Sequence, residues 1–285
     1  MNSQRSANTT PDRIQVTRQH RGDAPMMNKV PQITVLFWVI KILSTGMGES
    51  ASDWALRRGQ GLPGIGIAGT LGLDAVIFVV ALVLQFSRRR YVPPVYWFAV
   101  VGVSIFGTVA ADVVHFIMGV PLWATTAAYA GALALDFGLW YRLENTLSIH
   151  SINTRRRETF YWIAVFFTFA LGTALGDVAA TTRNFGFLLS GVLFAVLIAL
   201  PAIAYRWLSL NAIVAFWSAY VLTRPLGASF ADWLAVAPNE SGLGFGAGWV
   251  TLVATVVIIG LVTYETAQHE YSTTADRRRG YRGRR

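Results

Sequence analysis

Four aspartates, Asp53, Asp112, Asp177 and Asp232, each stand fifteen residues after a tryptophan, in stretches that are otherwise almost free of charge. Those tryptophans are Trp38, Trp97, Trp162 and Trp217. Carboxylates gathered in an apolar setting suit one chemistry above others, because hard divalent cations take carboxylate and carbonyl oxygens. Glu49 lies four residues before Asp53, one helical turn away on nearly the same face, and adds a fifth carboxylate. The expected ligand set for a metal is therefore Asp53, Asp112, Asp177, Asp232 and Glu49. A second reading stays open, in which the aspartates cap or brace helix ends and recur only because the unit was duplicated.

Other polar groups in apolar surroundings could extend the site. Thr108 and Thr173 occupy the repeat position of Glu49. Arg224, just before Pro225, is suited to neutralising a carboxylate of the ring or to binding substrate. Asp74, in the second apolar run, is expected to be the most deeply placed carboxylate. His115 follows Asp112 by three residues, so it is either a second ligand from one helix face or an interfacial histidine. Lys41 should pair with an acid on a neighbouring helix, and Asp136 should lie near a membrane surface. The chain has no cysteine, which removes thiolate metal sites, iron–sulfur clusters and disulfides. It also lacks a glycine-rich phosphate loop, an HExxH pair and a nucleophile with a base at readable spacing. No enzymatic activity is expected, and no cofactor beyond a divalent cation, manganese being the example preferred over an organic solute.

These residues are positioned by an internal repeat. An aromatic residue and Trp open each copy, a glycine stands ten residues after the Trp (Gly48, Gly107, Gly172, Gly227), and the Asp follows five later. Four ungapped registers agreeing at three positions mark one unit used four times. The chain is 54% hydrophobic and 14% charged, against about a quarter charged in soluble domains. Eight apolar runs, centred near residues 44, 76, 104, 130, 168, 196, 222 and 256, approach the roughly 20 residues that cross a bilayer. The fold expected is an all-α integral membrane protein, with eight transmembrane helices as four parallel two-helix repeats. Its divisions are a disordered tail over 1–30, a membrane domain over 31–265 and a basic tail over 266–285. The repeats cover about 31–91, 92–142, 158–207 and 211–265, with Pro31 opening the first helix.

The net charge of +9 does not indicate nucleic acid, because nineteen of the 24 basic residues fall in the tails and alternate loops. Only Arg57, Arg58 and Arg183 fall on the other side, so both termini are expected in the cytoplasm. Parallel repeats put the four Trps at one depth, in a cytoplasmic aromatic belt, and the four Asps about 22 Å away. The glycine and the small residue four positions later form a small-xxx-small pair beside the carboxylate stripe. Helix packing there should be close, whereas Val100 should face lipid.

The stretches NKVPQITVLFWVIK (28–41), YWIAVFFTFALGTALGD (161–177) and FWSAYVLTRPLGASFADW (216–233) resemble a family of uncharacterised bacterial membrane proteins. Its members are built from four tandem two-helix repeats, each with a characteristic Trp. The resemblance covers about residues 28–265 and implies an eight-helix protein of the bacterial inner membrane, without an activity. Glu49 departs from the pattern of the other copies. Taken together, these features point to a transporter or permeation pathway for a cation. The lipid bilayer is then its partner, and a homo-oligomer is compatible with it. The alternative is a membrane scaffold or sensor whose aspartates only stabilise packing.

Overall fold

The computed structural model describes residues 28–56, 61–63, 65–179 and 186–282, with side chains through 271. Most of the tail expected over 1–30 lies outside the described residues, as do Arg57, Arg58 and Arg183. The described residues form eight long helices and no strand. They are α1 (Val35–Leu56), α2 (Gly66–Ser87), α3 (Pro93–Asp112), α4 (Leu122–Glu144), α5 (Arg155–Asp177), α6 (Gly186–Trp207), α7 (Ala212–Ala235) and α8 (Ala247–Arg282). Local chemistry sets several of the ends. Pro93 and Pro94 open α3, where a missing N–H costs nothing. The Thr154 hydroxyl accepts from Arg157 N, the Asn211 amide oxygen accepts from Ile213 N, and Asn145 closes α4 in the left-handed region at φ 54°.

Two boundaries differ from expectation. The first helix begins at Val35 rather than near Pro31, because Thr34 Oγ1 accepts from Phe37 N and serves as its cap. At the other end α8 continues to Arg282, through the segment expected to be a tail from 266.

The first helices of the four repeats, α1, α3, α5 and α7, form a closed central ring. Its seams follow one rule. The glycine ten residues after each Trp packs against the residue seven after the next repeat's Trp. A Cβ on Gly48 would lie 1.9 Å from Ser104 Oγ, and one on Gly107 would lie 2.7 Å from Phe169 Cβ. On Gly172 it would lie 2.2 Å from Arg224 Cγ, and on Gly227 1.9 Å from Thr45 Oγ1. Three of the facing residues also bond across their seam, Ser104 Oγ to Ser44 O at 3.0 Å, Arg224 to Thr173 Oγ1 at 2.8 Å and Thr45 Oγ1 to Thr223 O at 3.2 Å.

The second helices form an outer layer, each covering the first helix of the following repeat: α2 on α3, α4 on α5, α6 on α7, and α8 back on α1. Phe78 of α2 stacks on Phe106 of α3 with centroids 4.5 Å apart, and Thr251 of α8 donates to Ser50 of α1. Burial follows these layers. Of the most apolar stretches, those of α2, α6 and α8 are 17%, 22% and 11% buried, against 44% and 67% for α3 and α5. Those five helices are long and apolar enough to cross a membrane. Helices α1 and α7 carry Lys41, Glu49, Arg224 and Asp232, all buried, whose charges lower the hydropathy of the chain's interior lining rather than its outer surface.

The four Trps do not form a surface belt. Trp97, Trp162 and Trp217 are buried and Trp38 is partly so, within a cluster that includes Tyr96, Tyr161 and Tyr220. Trp97 Nε1 donates to Glu265 at 2.7 Å and Trp217 Nε1 to Leu147 O at 3.0 Å. An indole N–H inside protein needs such an acceptor, and these aromatics close one end of the ring. Val100, expected to face lipid, is fully buried among them.

Candidate functional site

At the opposite end of the ring the four repeat aspartates converge. Asp53, Asp112, Asp177, Asp232 and Glu49 all line one cavity of about 580 Å³, together with apolar residues such as Leu56, Ile67 and Phe187. Fifteen residues of helix from each Trp deliver the carboxylates to one level, and the ring turns them toward a common axis. Just past Asp112 the helix widens into a π turn over Val113–Ile117, a local change that redirects the chain beside the cavity.

The carboxylates are not equivalent. Glu49, Asp53 and Asp232 each offer an oxygen, and these lie within 4.8 Å of one another. Asp53 is exposed, while Glu49 and Asp232 are only 5% and 8% exposed. Asp112 accepts a hydrogen bond from Ser52 Oγ at 3.3 Å, which ties α1 to α3. Among the described residues the Asp232 side chain has no hydrogen bond or ion pair, although it is buried and faces the cavity. Buried carboxylates are normally bonded. Three close carboxylate oxygens, one of them without a partner, form a donor set for a hard cation.

Beneath this cluster the axis is blocked by Arg224, which is fully buried. Its guanidinium donates to Glu49 Oε2 at 2.6 Å, to Thr45 O at 2.7 Å, to Thr173 Oγ1 at 2.8 Å and to Thr108 Oγ1. Gly172 makes this possible, since any side chain there would occupy the volume of the arginine stem. Thr108 and Thr173 thus do sit with Glu49, as their repeat position suggests, and both serve the arginine. Lys41 lies deeper, and among the described residues no acid reaches ion-pair distance of it. Its ammonium stands over the rings of Phe169 and Tyr220, 3.8 and 4.4 Å from their centroids, so cation–π attraction replaces the expected carboxylate.

His115, Asp74 and Asp136 lie outside the cluster. His115 Nδ1 is 2.8 Å from Val120 O, where the ring fixes the turn after α3 instead of joining Asp112 as a ligand. Asp74 is buried in α2 and does not line the cavity. Asp136, expected at a surface, is also buried. A pair that the sequence did not announce is Lys29 with Glu158, 2.6 Å apart and both fully buried. Gln85 supports Glu158, and Lys29 N donates to Ile152 O, so Lys29, expected in the tail, is part of the packed structure. The available signal was Glu158 itself, a lone acid after three arginines at the head of α5.

A family model described as a Repeat of Unknown Function (DUF347) matches the chain four times, over residues 36–91, 95–146, 160–210 and 215–271. The chain belongs to this family. No curated protein and no solved structure matches it. The four matched DUF347 segments each contain one of the register tryptophans Trp38, Trp97, Trp162 and Trp217, with its seam glycine and its cavity aspartate, so the repeat that defines the family also builds the ring.

Proposed function

We propose that this protein is a multi-pass membrane carrier for a divalent cation, which is captured at the acidic mouth formed by Glu49, Asp53 and Asp232, with Asp112 and Asp177 at its rim. The observation that carries this reading is the convergence of three carboxylate oxygens within 4.8 Å, one of them on the unpartnered, buried Asp232. Arg224, Lys41 and the aromatic cluster close the axis below, which fits a carrier that opens one end at a time better than an open pore. Manganese suits the all-oxygen donor set, as do calcium and magnesium. The scaffold alternative is favoured by one observation, the Ser52–Asp112 bond, in which a ring aspartate braces two helices.

Purified protein titrated with divalent ions tests the proposal. A ligand that binds only the folded state raises the melting temperature with concentration. Asp232→Asn and Asp53→Asn should lose most of that rise, and cells carrying these variants should lose any change in metal content that the wild type produces. Acidification should weaken the rise as well, because protons compete for the same oxygens. Wild type with no response to any divalent ion would leave the scaffold reading in place.

All eight helices are taken to span a bacterial inner membrane, with the Trp end and both termini in the cytoplasm. Reporter fusions at residue 148 and at the C-terminus should both report a cytoplasmic location. An exterior signal at either would overturn this orientation.

A further inference from the structure

Arg224 does more than occupy space beneath the mouth, because it shares an acceptor with it. Glu49 belongs to the three-carboxylate cluster, and its Oε2 is also the 2.6 Å partner of the guanidinium. Arginine stays charged under all ordinary conditions. Within the close cluster of Glu49, Asp53 and Asp232, with Asp112 and Asp177 farther out at the rim, three ionised carboxylates and one fixed guanidinium leave two net negative charges, the charge that a single divalent ion balances. A monovalent ion leaves one of them uncompensated. A trivalent ion overshoots and meets the repulsion of the arginine directly.

We propose that Arg224 is a tethered counter-cation that sets the valence of the ion accepted at the mouth. This rests on the mouth being a cation site. Geometry gives the arginine this role and withholds it from Lys41, which is shielded by Phe169 and Tyr220 and touches no carboxylate of the cluster. The guanidinium is bonded through its two terminal nitrogens to Thr45 O of α1, Thr173 of α5 and Thr108 of α3, so withdrawing from a more highly charged ion would break those bonds. Only this repeat places a cation seven residues after its Trp; the corresponding residues are Thr45, Ser104 and Phe169. The cluster therefore has one counter-charge on one side, next to the only copy that carries a glutamate eleven residues after its Trp.

Four proteins separate the charge role from a structural one: wild type, Arg224→Gln, Glu49→Gln and the double variant. Their clusters carry two, three, one and again two net negative charges. Each is titrated at constant ionic strength with sodium, manganese(II) and terbium(III), and affinities are compared as ratios within one protein. Arg224→Gln should shift the terbium-to-manganese ratio upward by about tenfold or more, since a unit charge a few ångströms away is worth at least that in a protein setting. Glu49→Gln should lower the manganese-to-sodium ratio by a similar factor. The double variant, which strands no buried charge, should return to the wild-type preference even though both side chains have changed. A double variant that keeps an altered preference, or an Arg224→Gln protein whose ratio stays at wild type, would overturn the proposal while leaving the cation site standing. Absence of any ion response in all four proteins would remove the site and this inference together.

Discussion

Removing the Arg224 charge is expected to be among the most destabilising single changes in the molecule. In Arg224→Gln without added ions, Glu49 stays buried beside Asp53 and Asp232 with no counter-charge, and Thr45 O loses its donor. Breaking one side of a buried ion pair typically costs about 3–5 kcal/mol. The double variant Arg224→Gln/Glu49→Gln should recover most of that loss, because no charge is then stranded. Denaturant unfolding in a fixed detergent, arranged as a double-mutant cycle, measures the coupling directly. Additive losses would mean that the pair contributes little as a pair.

The second large effect is expected at the seams of the ring. Gly227→Val places a branched side chain where Ile42 O is 2.8 Å and Thr45 Oγ1 1.9 Å from the new Cβ. The first of these neighbours is backbone and cannot rotate away. Helices α1 and α7 must then separate, with a loss of at least about 1–3 kcal/mol and a sharp fall in folded yield. Gly48→Val and Gly172→Val should behave likewise. Gly131→Val and Gly138→Val, where nothing lies within 4 Å, should fold normally apart from a small propensity term. Monodispersity on size exclusion and thermal stability report the difference. Equal tolerance at both groups would mean that the seams are not close-packed.

The reach of the sequence can be judged from these same residues. The Trp, glycine and aspartate register singles out the carboxylates that line one cavity, because equal spacing along equivalent helices carries them equally far from the Trps. It also identifies the glycines as contact points. It does not say which surface each glycine meets, since that depends on the direction in which the repeats go around the ring. The role of Gly172 as the floor under Arg224 is invisible for that reason. Lys41 shows a different limit: a buried cation in a sequence calls for compensation, but an aromatic ring supplies it as well as a carboxylate does, and rings are common in such a chain. The Trps misled for a related reason, since amphipathic rings serve equally at a membrane surface and in a core that offers an acceptor. The asymmetry of the mouth was partly legible in Glu49, whereas the unpartnered state of Asp232 required coordinates.

The return of α8 onto α1 bears on how the protein is made. Every other first-of-repeat helix receives its outer cover from the segment synthesised just before it. Helix α1 receives its cover from the last, through Thr251 against Ser50 and Gly248 against Trp54. At elongation rates of about 5–20 residues per second, the interval between the end of α1 and the emergence of α8 is roughly 10–40 s. For most of that time a helix carrying Lys41, Glu49 and Asp53 lacks its ring partner α7, and for all of it the helix lacks its cover. It must be held by the insertion machinery or by α2 and α3 until translation is nearly complete. Truncations before residue 247 should accordingly leave α1 the first segment exposed to membrane quality-control proteases, however far from the cut it lies in the chain.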